Sequence, residues 1–497
     1  MMDVLDAGAG THRLPLGGTW SAGGGTGLQS RDAATGEVLA ELGTVTAEEV
    51  REAAAAAAVA QRKWAALPPA ARAGVLQRAG ELFSQHTDEI TPWLVRESGG
   101  TWAKAATEVF AAVAECGEAA ALPTHPHGQT LATNKARWSF SRRIPAGVVS
   151  VISPFNYPLT LGIRSVAPAL ALGNAVLLKP DPRTSVSGGV LIQRIFEAAG
   201  LPAGVLQVLL GGSEIGAAVV NAPEVRIISF TGSTAAGLKV GEAAAAKMKR
   251  AHLELGGNNA VLVLPGADTK AAAAAGAFAS FLHQGQICQA AGRHLVHESQ
   301  AEEYTAELAR IAGSLVVGDP YRETGVQIGP VIDAGQLAAV SAMVDASVAA
   351  GAEVRAGGRA EGRHYLPTVL ANLDPQMPVW RDEIFGPVAP VLVYRSVDEA
   401  VELVNASPYG LSVAVLGDAG SAMSVADRIR SGVVHINEQT VGDEATAPFG
   451  GMGASGNGAR FGGAEANYEA FTETQWVTVR PTIETYAVPS GQAPLNG

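Results

Sequence analysis

The chain has 497 residues, 47% of them hydrophobic and 16% charged, with a formal net charge of −12. That composition folds into globular cores, and the length accommodates two or three structural units. The acidic balance argues against a nucleic-acid partner, which wants Lys/Arg surfaces. Two cysteines are too few for a disulfide framework and point to a reducing cytoplasm.

The opening Met1-Met2-Asp3-Val4-Leu5-Asp6 lacks the basic-then-apolar pattern of a signal peptide. Residues 1–45 are Gly-rich with little periodicity, so short strands and surface turns are expected. Thr46–Trp64 reads as a helix, because Thr46 and Glu49 form a capping box before an alanine run. A second helix is expected over Pro69–His86, with Val75, Leu76, Ala79, Leu82 and Phe83 on one stripe. The most apolar stretch, Gly147–Leu178, is interrupted by Pro154, Asn156, Pro158, Arg164 and Pro168. It therefore reads as strand–loop–helix–strand and not as a membrane span.

From there, short apolar runs alternate with helical segments. Strands are expected at Val148–Ile152, Ala175–Lys179, Val205–Leu209 and Arg226–Phe230, with helices over Leu159–Ala171, Ser185–Ala199 and Glu214–Val220 between them. The pattern restarts after Glu254. Its strands are Val261–Leu264, Leu295–His297, Val388–Tyr394, Ser412–Leu416 and Val433–Ile436, and its helices are Thr269–Phe281, Ala301–Ala312, Gln336–Ala350, Asp398–Asn405 and Ala422–Arg430. Alternation of this kind builds parallel sheets from βαβ units. Two α/β halves meeting near Glu254–Gly257 follow, with a ligand expected outside the strand C-termini where the halves face each other. Trp138–Arg143 and Glu473–Val479 also alternate and read as ribbon strands outside both halves.

The chemistry concentrates in three segments. Cys288 lies in Gln284-Gly285-Gln286-Ile287-Cys288, Glu254 in Leu253-Glu254-Leu255-Gly256-Gly257-Asn258, and Asn156 in Pro154-Phe155-Asn156-Tyr157-Pro158. A thiol nucleophile, a carboxylate base and an amide able to hold an oxyanion suggest covalent catalysis. Cys116 reads as a buried structural cysteine. The literal G-x-G-x-x-G at Gly451–Gly456 lacks the strand before it and the helix after it that a dinucleotide fingerprint needs, so it reads as a packed glycine loop. Phe230-Thr231-Gly232-Ser233-Thr234-Ala235-Ala236-Gly237 does follow a strand and open a helix, which suits an anion. No Cys/His spacing matches a metal site.

Together these segments resemble the aldehyde dehydrogenase superfamily over about Gly147–Ala470, most closely its benzaldehyde and vanillin dehydrogenase branch. The resemblance implies a Rossmann-type dinucleotide-binding domain at 1–122 and 146–256, a catalytic domain at 257–455, and a small β oligomerisation arm at 123–145 and 470–482. It implies a homodimer or homotetramer. It implies that Cys288 attacks an aldehyde, that Asn156 holds the oxyanion and that Glu254 activates water. Lys179, Gly212, Gly216, Gly232, Ser233, Gly237, Glu383 and Phe385 are then expected to hold NAD or NADP. The family's common glutamate three positions after the lysine is Pro182 here, flanked by Asp181 and Arg183. Asp181 suits a ribose hydroxyl and Arg183 a 2′-phosphate, so the coenzyme stays open. Further departures are Asn258, where a lysine is common, and Arg460, where many relatives carry an acid.

The branch implies an aromatic aldehyde, with Phe110, Tyr157, Leu161, Ile287 and Phe449 as candidate walls. Aliphatic aldehydes or semialdehydes are the alternative within the superfamily, and release of the acyl group to coenzyme A is another. A cysteine hydrolase or acyltransferase, using nearby His283 as base and no nicotinamide, is the alternative from another class.

Overall fold

The computed structural model describes residues 14–16 and 19–486. The start of the chain, including the stretch expected to lack a signal peptide and part of the 1–122 unit, lies outside the described residues. A five-stranded sheet runs Arg250–Glu254, Val225–Thr231, Val148–Ile152, Ala175–Lys179, Leu206–Val208 in spatial order, and every pairing is parallel. Chain order reverses between Val148–Ile152 and Val225–Thr231, which sit side by side. At such a switch point the two following loops diverge and leave a crevice. Here those loops are Ser153–Asn156 and Gly232–Ser233.

The second sheet has seven strands, ordered Glu353–Ala356, Thr368–Ala371, Val388–Tyr394, Ala291–His297, Asn259–Val263, Ser412–Leu416, Val433–Ile436. Only the edge strand Glu353–Ala356 pairs antiparallel. One expectation changes here. Arg250–Glu254 ends the first sheet and Asn259–Val263 starts the second almost at once. The chain thus leaves the first sheet at a strand C-terminus and enters the second at a strand N-terminus. The cleft faces the C-terminal ends of one sheet and the N-terminal ends of the other.

Thr46 and Glu49 form the capping box of the Ala47–Ala65 helix. Its Trp64 is buried, with Nε1 donating to Leu170 O at 2.8 Å in the Pro158–Ala171 helix. The helix Pro69–Gln85 forms as expected. Two helices that periodicity does not reveal follow it, Thr87–Ser98 and Trp102–Ala121. The first contains Pro92. The second buries Lys104, Glu108 and Glu115 among its apolar residues, and those charges erase the apolar stripe by which helices are read. The segment expected to be helical from Ser185 opens as a π-turn, Val186–Val190, before Leu191–Ala198 becomes α-helical. Trp138–Pro145 and Thr472–Val479 pair antiparallel along their whole length.

Candidate active site

At the crevice lies a cavity of about 1150 Å³ that gathers Asn156, Lys179, Gly216, Gly232, Ser233, Cys288, Glu383 and Phe385 into one lining. Loops from both sheets contribute, which explains how residues so far apart in the chain come together. Glu254 sits just behind Leu255 and Gly256 of that lining, with both carboxylate oxygens enclosed and without a hydrogen-bond partner. Gly212 and Gly237 do not line it. Gly212 caps the Ser213–Asn221 helix, and a side chain on Gly237 would overlap Leu255, so Gly237 permits close helix–strand packing.

Cys288 follows a tight left-handed turn. His283, Gln284 and Gly285 have φ of +48°, +58° and +66°, conformations costly for the first two residues. Gln284 is pinned there, its Nε2 donating to Gly99 O at 2.6 Å and Pro330 O at 3.0 Å. Asn156 Nδ2 donates to Gln286 O at 2.8 Å. That bond uses one of two amide protons and leaves the other for a ligand. Asn259 Nδ2 donates to the carbonyls of Cys288 and Ala290 at 2.7 and 2.8 Å, fixing the loop from the other side. Asn258, the departure from the common lysine, donates to Trp380 O at 2.8 Å.

Burial raises the proton affinities of the acids of the site. Burial pushes the Cys288 thiol up to about 12, opposed chiefly by the Arg164 guanidinium. Burial likewise pushes Glu254 up to about 8, with Arg164 and Arg460 pulling it down. Arg164 itself is buried, donates to Asp443 Oδ2 at 2.7 Å and stacks 4.7 Å from the Phe449 ring. Glu115, also raised to about 8 by burial and Asp443, feels the same guanidinium. Arg164, Asp443 and Glu115 were missing from the sequence-based site. The signal available was an arginine in the most apolar stretch of the chain. Cys116 is buried, and burial holds its thiol high. No hydrogen bond joins His283 to Cys288; desolvation and nearby Lys104 keep the imidazole neutral.

The other end of the cavity fits a dinucleotide. Ser233 caps the Thr234–Ala245 helix, and the cavity runs over that helix start through Ala235 and Ala236. Gly216 borders the cavity with open space where a Cβ would stand. Lys179, 6% exposed, supplies a buried cation beside Asp181 and Glu214. Glu383 accepts from Gly257 N at 2.9 Å, and burial raises it to about 7. Phe385, at φ +51°, stands edge-on to Phe155, 5.8 Å away. Arg183 is held on both sides by carboxylates: Nε and Nη2 grip Asp181 at 2.9 and 2.8 Å, Nη1 reaches Asp333 at 2.6 Å, and the guanidinium stacks 4.1 Å from the Phe155 ring.

Of the expected walls, Leu161 lines the cavity together with Phe155. Ile287 and Phe449 are buried. Tyr157 is enclosed beneath Lys104, and Phe110, 74% exposed, lies on the outer surface. The Gly451–Gly456 run is a packed loop, bridging Glu254 through Gly456 and accepting Leu255 N at Ser455 O. Among the described residues no cluster of His, Cys, Asp or Glu could hold a metal ion, and no helix is long and apolar enough to cross a membrane.

The chain is similar to known proteins along most of its length. A vanillin dehydrogenase of Amycolatopsis sp. is 53% identical over 98% of this chain and all of its own length. The NAD(+) benzaldehyde dehydrogenase of Pseudomonas putida is 46% identical over 90% of this chain and 92% of its own. The crystal structure of a salicylaldehyde dehydrogenase from Pseudomonas putida G7, complexed with salicylaldehyde, superposes with a TM-score of 0.92 at 34% identity, covering 96% of this chain and 99% of that one. The family model described as the aldehyde dehydrogenase family matches residues 20–477. With the thiol and amide lining one cavity, an enclosed carboxylate adjoining it and that match across nearly the whole chain, the protein belongs to the aldehyde dehydrogenase family.

Proposed function

We propose that this enzyme oxidises aromatic aldehydes to carboxylic acids, with NAD as the preferred coenzyme. One observation carries the reading: a single cavity runs from Cys288 and Asn156 to Lys179 and Ser233, so a substrate carbonyl and a dinucleotide can share it. Relatives named for vanillin, benzaldehyde and salicylaldehyde support the aromatic class. The apolar lining from Phe155, Leu161 and Phe385 suits a flat ring.

Cys288 Sγ adds to the carbonyl carbon, and its proton passes to Glu254, a carboxylate poised near neutrality. The oxygen that becomes anionic accepts a hydrogen bond from the free N–H of Asn156 Nδ2. A bound nicotinamide would supply the acceptor for the hydride that this adduct sheds. Once Glu254 has released that proton to solvent, it deprotonates the water that cleaves the thioester and passes the second proton to the departing sulfur, which returns the thiol and yields the acid. Lys179, Ser233 and Glu383 would hold the coenzyme. Asp181 and Asp333 offset the charge of Arg183 and hold three of its five N–H donors, which weakens it as a partner for a 2′-phosphate and supports NAD over NADP. A turnover matrix of aromatic and short aliphatic aldehydes against both coenzymes tests this. Higher kcat/KM on the aliphatic series would overturn the substrate class.

The cytoplasm is the proposed setting, consistent with two unpaired cysteines. The ribbon of Trp138–Pro145 and Thr472–Val479 is the proposed contact between copies, since Trp138 and Trp476 are 78% and 62% exposed.

A further inference from the structure

The amide proposed to receive the oxyanion is supported from behind by a buried ion pair that takes no part in the chemistry. Lys104 and Glu108 lie one turn apart on the Trp102–Ala121 helix and are 3% and 0% exposed. Lys104 Nζ donates to Glu108 Oε1 at 2.5 Å and to Ser98 Oγ at 3.2 Å. The second carboxylate oxygen, Oε2, accepts the amides of Leu159 at 3.0 Å and Thr160 at 3.3 Å. These belong to the first turn of the Pro158–Ala171 helix, whose own cap residue Tyr157 offers no side-chain acceptor. Glu108 is therefore an N-cap delivered from a neighbouring helix. It satisfies orphan donors in a place water does not reach, and its charge matches the positive end of the helix.

The same pair bears on the nucleophile loop. Lys104 Nζ stands 4.6 Å over the Tyr157 ring, and Tyr157 packs edge-on against His283 at 5.6 Å. His283 begins the left-handed turn that leads into Gln286, whose carbonyl takes the Asn156 amide. Asn156 thus hangs between a helix start held by Glu108 and a loop packed through Tyr157. An apolar pair of equal volume generally stabilises a core as well as or better than a buried ion pair, so stability alone does not account for this one.

We propose that Glu108 is a positioning residue for the oxidation, its acceptor setting where Asn156 presents its free proton. This rests on the assignment of Asn156 above. Two conservative variants separate acceptor from charge. Glu108→Asp keeps both charges but withdraws the acceptor by one methylene. Lys104→Met with Glu108→Gln removes both charges but leaves an acceptor at full length. The expected result is a kcat loss of roughly 10- to 100-fold in Glu108→Asp, the scale of a small misplacement of a catalytic group. KM for aldehyde, coenzyme affinity by fluorescence titration and melting temperature should stay near wild type, and the double variant should keep kcat within about threefold of wild type. Wild-type kcat in Glu108→Asp, or a large kcat loss in a stably folded double variant, overturns the proposal. Asn156→Ala is the control. If it is inactive while Glu108→Asp is normal, the positioning role alone fails; if it is itself active, the underlying assignment fails.

Discussion

The guanidinium of Arg164 meets Asp443 Oδ2 at 2.7 Å, and this one pair couples the charge of Glu254 to that of Cys288. Arg164 pulls both acids down while Asp443 pushes both up. The pull of Arg164 outranks the push of Asp443 at both groups, and burial outranks both. A thiol near 12 beside a carboxyl near 8 places the proton on sulfur until a substrate carbonyl or a cationic coenzyme changes the balance.

Replacing Arg164 with Met should raise both groups further, since the first-ranked opposing charge is lost. The ascending limb of the kcat–pH profile is then expected to move to higher pH. Leaving Asp443 without its partner should cost about 3 kcal/mol of stability. An unmoved limb in a folded variant would reduce Arg164 to a packing residue.

Cys288→Ala should lower aldehyde oxidation by at least about a thousandfold while coenzyme affinity is retained. Isothermal titration with NAD and absorbance of the reduced nicotinamide read the two effects separately. Appreciable residual oxidation would show that another group attacks the carbonyl.

Glu254→Gln should slow the first hydride burst, which needs the thiol's proton removed, and suppress steady turnover more strongly, because hydrolysis needs the carboxylate a second time. Its pH behaviour has a definite sign. The folded carboxyl is raised to about 8 from an ordinary 4.5, so between those values the folded state binds the extra proton. Stability from this group therefore falls as pH rises through that window. Wild type should lose melting temperature relative to Glu254→Gln as pH climbs from 5 toward 9, and parallel curves would be inconsistent with a raised carboxyl.

Coenzyme choice turns on the Asp181–Arg183–Asp333 cluster. NAD is expected to bind more tightly than NADP. Asp181→Asn with Asp333→Asn should release Arg183 and tighten NADP binding by roughly tenfold, the scale of one charge-assisted hydrogen bond. Asparagine preserves the cap that Asp333 places on Gln336 N, so the fold should be unaffected. Fluorescence titrations with both coenzymes decide it, and no gain for NADP would place 2′-discrimination elsewhere.

Trp476→Glu puts a charge on the exposed ribbon. If two copies meet there, sedimentation velocity should show smaller species than wild type. An unchanged distribution would move the contact to another face.

Local chemistry made much of this readable in the chain. The capping box of Thr46 and Glu49, the apolar runs of the central strands and the glycine-flanked Cys288 and Glu254 each declare themselves within a few residues, because capping, β pairing and backbone approach depend on near neighbours. The Trp102–Ala121 helix did not, because its Lys104, Glu108 and Glu115 face inward toward partners on other elements, and a buried charge reads as a surface one until its partner is known.

Only the tertiary structure decided which ends of the two sheets face the cleft, that Gly237 packs against Leu255 away from the cavity, and that Arg183 is held by two carboxylates. The same holds for the charge state of the reacting groups. Residue identity supplies a thiol and a carboxyl; their proton affinities are set by burial and by Arg164 and Asp443, which adjoin them only after the chain has folded.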